Sequence, residues 1–117
     1  MRRLVGLTLL LLWLGLGPAR AQFELVPAYD MPPRGPHDAK GAVIWNHGRT
    51  AERRDVYGET PFFLDALRDA GWDVFRLHRP AAVDAEDAST LALIAHAEAL
   101  KSQGYARIVS AGQSFGG

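Results

Sequence analysis

The sequence predicts an α/β fold, a parallel sheet with flanking helices, and three observations carry that prediction. Short apolar runs at 41–45, 72–77 and 105–111 have the length of strands, and Gly41-Ala42-Val43-Ile44-Trp45 has no polar interruption, as suits a strand buried on both faces. Between these runs lie two longer stretches whose apolar residues recur at helical spacing. Strand and helix therefore alternate, which calls for parallel strands joined by right-handed crossovers. With 117 residues the chain has room for one domain.

Composition removes several classes of function. The chain carries 13 Lys+Arg against 13 Asp+Glu and no basic cluster to neutralise phosphates, so no nucleic-acid partner is expected. The absence of Cys excludes disulfides, thiolate metal sites and a thiol nucleophile. Its 48% hydrophobic content is that of a globular chain and argues against disorder.

Taken in order, residues 1–21 read as a secretory signal peptide. Met1-Arg2-Arg3 is a positive start, residues 4–17 form a Leu-rich run, and Pro18-Ala19-Arg20-Ala21 is a small-x-small ending that places cleavage after Ala21. The run of 14 residues is short for a membrane span, which needs about 20. Cleavage leaves 10 basic and 13 acidic residues, a mildly acidic piece with no stable membrane anchor and a secreted or periplasmic destination. Residues 22–40 form an N-terminal segment with one extended stretch at 23–29, then a loop imposed by Pro32, Pro33 and Pro36.

The domain proper is expected over 41–117. Its first strand ends at Asn46-His47-Gly48, and a charged loop follows, in which Arg53, Arg54 and Asp55 read as solvated surface. Thr60-Pro61 has the form of an N-cap and first helical residue. Phe62, Phe63, Leu64, Ala66, Leu67 and Ala70 give this helix a broad apolar face, and Gly71 stops it. The second strand ends at Arg79-Pro80. Asp84, Glu86 and Asp87 read as a solvated loop and helix N-terminus, Ser89 as a helix cap, and Leu91, Leu93, Ile94, Ala97 and Leu100 as the apolar face running to Gly104. The third strand, centred on Ile108 and Val109, is expected to be buried. Trp45, Phe62, Phe63, Trp72 and Phe75 are expected in the core.

The sharpest chemical feature follows that strand: Gly112-Gln113-Ser114-Phe115-Gly116, a G-x-S-x-G sequence. A serine on a tight strand-to-helix turn presents its hydroxyl outward, and the positions two before and two after approach neighbouring backbone, so they exclude a Cβ. Gly112 and Gly116 meet that requirement. Chance yields on the order of 0.04 such matches in a chain of this size. The second feature is His47-Gly48 at the end of the first strand, where a backbone N–H can face the charge developing on a substrate carbonyl. Gly48 lets the backbone turn, Arg49 and Phe115 are the N–H donors, and the His47 ring braces the loop.

Together these motifs, on this order of strands and helices, resemble the α/β-hydrolase family in its dienelactone-hydrolase, esterase and serine-peptidase branches, over residues 41–117. The resemblance implies that Ser114 is the nucleophile of acyl transfer from an ester, thioester or amide. It also implies an oxyanion hole from Arg49 and Phe115, a small-molecule or peptide acyl substrate, and no metal or organic cofactor. It places the family's leading antiparallel strands, in reduced form, at 23–29. In that family the acid and the histidine follow the serine in the chain, whereas His37, His47, His78 and His96 all precede Ser114. The expectation is therefore a domain truncated after the nucleophile elbow: an N-terminal fragment that lacks its acid and base and is itself inactive. Of the four histidines only His78, near the carboxyl end of a strand, is a candidate base within it. The competing reading is a non-catalytic binding module on a hydrolase-like scaffold. A dinucleotide site is excluded because residues 112–117 contain no G-x-G-x-x-G.

Overall fold

A computed structural model describes residues 23–48, 60–80 and 82–113. Its elements are β1 (Leu25–Pro27), β2 (Ala42–Asn46), α1 (Phe63–Asp69), β3 (Asp73–Leu77), α2 (Glu86–Gln103) and β4 (Ile108–Gly112). They form a small α/β domain: a four-stranded sheet in the order β1-β3-β2-β4 with two helices. β2 runs parallel to β3, with Ile44 opposite Phe75, and parallel to β4, with Ile44 opposite Ser110. The sheet is mixed rather than purely parallel, because β1 pairs antiparallel with the outer side of β3, Val26 opposite Arg76.

Alternation along the central strands explains the two-sided core. Ala42 and Ile44 of β2 share a face with Phe75 and Leu77 of β3, where they pack with Ala92 and Leu100 of α2. Val43 and Trp45 turn the other way and pack with Val74 and with Leu64 of α1. A strand with a helix on each face has no solvent side, which is why β2 carries no polar residue before Asn46. Burying a side chain such as Ile44 contributes about 1.5–3 kcal/mol. The two helices lie on opposite faces because their crossovers run in opposite directions across the sheet. The connection through α1 leads from β2 to one neighbour, and that through α2 returns past β2 to the other. A common hand for both requires opposite faces.

Both helices end in the same motif. After α1, Gly71 has φ +105°, its N–H donates to Arg68 O at 3.0 Å, and the Trp72 N–H donates to Leu67 O at 3.0 Å. After α2, Gly104 has φ +112°, with Gly104 N–H to Lys101 O and Tyr105 N–H to Leu100 O. A positive φ is available to glycine without a Cβ penalty, and the two bonds satisfy the last carbonyls.

Helix starts differ from expectation. α1 begins at Phe63, with Phe62 in the cap position and no side-chain cap, so Thr60 does not cap it. α2 begins at Glu86 after Ala85, and Ser89 lies inside its first turn with Oγ donating to Glu86 O at 3.0 Å. Glu86 and Asp87 thus occupy the first turn, where the helix dipole favours negative charge. The expected core is too generous at two aromatics. Phe62 is 85% exposed, and Phe63 is half exposed with its ring edge-on to Trp45 at 5.7 Å. With only seven residues, α1 offers the sheet Leu64 and Leu67, one turn apart. Trp45 and Phe75 are buried as expected. β4 is not the buried strand that its composition suggests: among the described residues it pairs with β2 alone, and Val109 is 44% exposed.

Candidate functional site

In an open parallel sheet, ligands bind beyond the carboxyl ends of the strands where neighbouring connections depart in opposite directions. Here that place is the boundary between β2 and β4, because the chain leaves β2 towards β3, and β4 lies on the other side. Asn46 pairs with Gly112 across this boundary, and the Gln113 N–H donates to Asn46 O at 3.2 Å. His47 and Gly48 therefore leave the sheet beside Gly112 and Gln113, one strand spacing of about 4.8 Å apart. Of the residues singled out from the sequence, His47, Gly48 and Gly112 are brought together here. Arg49, Ser114, Phe115 and Gly116 lie outside the described residues, as do Arg53, Arg54 and Asp55.

Among the described residues, four polar side chains build this edge. Asn46, buried, donates through Nδ2 to Ser110 Oγ at 3.0 Å and to Ala111 O at 3.3 Å, tying the end of β2 to β4. The His47 Nδ1 lies 2.8 Å from Gly48 O and 3.3 Å from an Arg79 amino group. One nitrogen cannot donate to the carbonyl and accept from the guanidinium at once, so the shorter contact selects the Nδ1–H tautomer, with His47 donating to Gly48 O. Arg79, only 2% exposed, also donates to the backbone carbonyl of His47 and forms an ion pair with Asp84, Nε to Oδ1 at 3.4 Å. Asp84 is itself 7% exposed, so the expectation of a solvated loop is wrong at this position and holds for Glu86 and Asp87. A buried guanidinium needs a counter-charge, and Asp84 supplies it.

The histidines are dispersed. His96 faces the sheet from α2 and donates to Phe23 O, a link between helix and N-terminal segment. His37 is exposed in the turn after the prolines. His78 follows β3, whose N–H to Glu24 O at 2.7 Å continues the pairing with the β1 side of the sheet. With β2 intervening, that strand end stands two spacings, about 9–10 Å, from the end of β4. That is beyond hydrogen-bond reach of a group there.

Arg79 and Asp84 are the residues of this edge that the sequence did not single out, and Asn46, part of the Asn46-His47-Gly48 feature, has no role of its own in the sequence reading. Asn46 had a signal, a polar amide closing an apolar run. Arg79 and Asp84 had none, since their burial depends on a contact across 32 residues to His47. Among the described residues no group of three or more His, Cys, Asp or Glu is placed to hold a metal ion, and no helix is long and apolar enough to cross a membrane. No protein-family model, curated protein or solved structure matches this chain.

Proposed function

We propose that this chain carries the nucleophile half of an exported serine hydrolase of α/β-hydrolase type, acting on an ester, thioester or amide. The observation that carries the reading is the pairing of Asn46 with Gly112, which brings the His47-Gly48 loop and the start of the G-x-S-x-G sequence to adjacent strand ends at the switch point. Acyl transfer needs a nucleophile and N–H donors around one carbonyl, so neighbouring parallel strands are the economical way to supply both. The strand order, with an antiparallel strand outside β3, is consistent with this reading.

In the proposed reaction the Ser114 Oγ attacks the substrate carbonyl carbon while its proton passes to a general base. The oxyanion receives hydrogen bonds from the Arg49 and Phe115 N–H groups. Collapse of the tetrahedral intermediate expels the protonated leaving group, and water then hydrolyses the acyl-enzyme. His78 is two strands away and His96 is engaged with Phe23, so the base and its acid partner are proposed to come from residues outside this sequence. Export rests on residues 1–21, and an intact mass beginning at Gln22 checks it.

In the natural protein, Ser114→Ala is expected to lower turnover of an activated ester by about 10⁴-fold or more, with an unchanged melting temperature. Unchanged turnover on a panel of esters, thioesters and peptides, together with no fluorophosphonate labelling of Ser114, leaves the binding-module reading in its place.

A further inference from the structure

Between the Pro-rich loop and the α2 face of the sheet lies a half-open cavity of about 430 Å³, none of whose lining belongs to the candidate site. Leu25 and Phe75 of the sheet form one side, and His96, Ala99, Leu100 and Gln103 of α2 form another. Pro33, Gly35 and Pro36 cover it from the loop, with Tyr105 beside them. Packed interiors leave few voids larger than a water molecule, so a hollow of this size persists only where its walls cannot close in. Asp73 holds two of those walls, since it accepts from the Arg34 and Gly35 N–H groups of the loop and from the Tyr105 hydroxyl. The prolines have a fixed φ. Pro36 also abuts the end of α2, where a Cβ on Gly104 would lie 3.5 Å from the Pro36 Cβ. On the helix side, Ala99 is too short to fill the space.

We propose that this cavity is a binding site for a small, neutral aromatic alcohol, separate from the acyl-transfer site and independent of that reading. Its volume lies within the range of small-molecule pockets, roughly 300–1,000 Å³. No Asp, Glu, Lys or Arg lines it, so a charged ligand would give up its hydration and meet no counter-charge. Rings supply much of the surface: Pro33, Pro36, and the pair Phe75 and Tyr105, which meet edge-on at 6.3 Å. Such faces and edges suit a planar aromatic guest. Tyr105 is 5% exposed, and a phenol that donates to Asp73 keeps a lone pair to accept from a ligand hydroxyl. Pro33 and Gln103, both exposed, mark the mouth.

The test is calorimetric titration of the natural protein with 2-naphthol, which is uncharged at neutral pH. One site with a Kd of about 100 µM is expected for a ligand of this size. Its analogue 2-naphthoate carries a carboxylate on the same rings and is expected to bind at least about tenfold more weakly. Ala99→Phe places a ring in the cavity from α2 and is expected to weaken 2-naphthol by about tenfold or more, with the melting temperature unchanged or raised. Gln103→Trp blocks the mouth from an exposed position and is expected to weaken it by about threefold or more, which keeps the test decisive where Ala99→Phe does not fold. Absence of binding up to about 1 mM 2-naphthol overturns the site. So does wild-type affinity in whichever of the two variants folds, because the ligand then sits elsewhere. Binding of 2-naphthoate as tight as that of 2-naphthol overturns the ligand class.

Discussion

The two ends of β3 each carry a buried carboxylate, and they use it differently. At the start of the strand, Asp73 accepts from the Arg34 N–H at 2.7 Å through one oxygen, and from the Gly35 N–H at 2.9 Å and the Tyr105 hydroxyl at 2.7 Å through the other. All three donors belong to the fold: the Pro-rich loop is tied down and the residue after α2 is locked against the sheet. Past the end of the strand, Asp84 neutralises Arg79, and Arg79 donates to the His47 backbone carbonyl beside the candidate site. The first carboxylate is spent on architecture. The second reaches, through Arg79, the backbone that leaves the end of β2. A buried charge is by itself no sign of function, and the identity of the group at the far end of its contacts is what separates the two cases.

The strongest way to break this contrast is at Asp73. Asp73→Ala leaves two backbone N–H groups and a hydroxyl without their acceptor, and is expected to cost about 3–5 kcal/mol in chemical denaturation. Because the strand places it about 15 Å from the candidate site, kcat per labelled Ser114 is expected to stay within about twofold. A large loss of kcat at wild-type stability would erase the distinction between the two ends.

Gly41 sharpens the comparison at the same end. A Cβ there would lie 2.7 Å from Arg107 O and 2.9 Å from Arg107 Cβ, as well as 2.5 Å from the Trp72 ring. The ring can shift but the backbone of the neighbouring strand entry cannot do so freely. Gly41→Ala is therefore expected to destabilise by about 1–3 kcal/mol, as overpacking does. An unchanged denaturation midpoint counts against this close approach.

The smallest effect concerns the tyrosines. Burial, and then the hydrogen bond to Asp73, push the Tyr105 phenol well above its ordinary value of 10. Burial and the hydrogen bond to Asp65 (2.7 Å) push Tyr29 up to about 12. A raised phenol keeps its proton in the folded chain where the unfolded chain has lost it. This contribution is therefore complete below pH 10 and is lost as pH rises from about 10 through 12. Tyr105→Phe is expected to cost about 1–2 kcal/mol at neutral pH, through the lost bond to the carboxylate, and to flatten the alkaline decline. Ultraviolet titration of tyrosinate alongside the stability curve checks the sign.

Much of the fold was legible in the chain because the signals are local. An uninterrupted, β-branched apolar run of strand length suits a strand covered on both sides, and Gly71 and Gly104 end helices through their own φ angles. The site was half legible. Asn46-His47-Gly48 and Gly112 stand out as motif residues in the sequence, whereas Arg79 does not and Asp84 reads as solvated loop. A charged residue in a polar loop carries no mark of its burial, which is decided by what packs over it. The helix starts also differ from the sequence reading: Thr60 and Ser89 have capping side chains, but the cap positions are held by Phe62 and Ala85, with no side-chain cap bond at either.

By itself the sequence determined the alternation of strands and helices, the two-sided burial of β2 and the serine-glycine motif, because periodicity and backbone freedom are properties of neighbouring residues. Only the tertiary structure decided the order β1-β3-β2-β4, and hence which strand ends meet. Pairing between β2 and β4 joins residues some 66 positions apart, Asn46 with Gly112 among them, and reaching it requires closing a long loop that no local preference specifies. The same closure brings Arg79 under His47 and turns two residues with solvent-facing chemistry into the buried support of the candidate site.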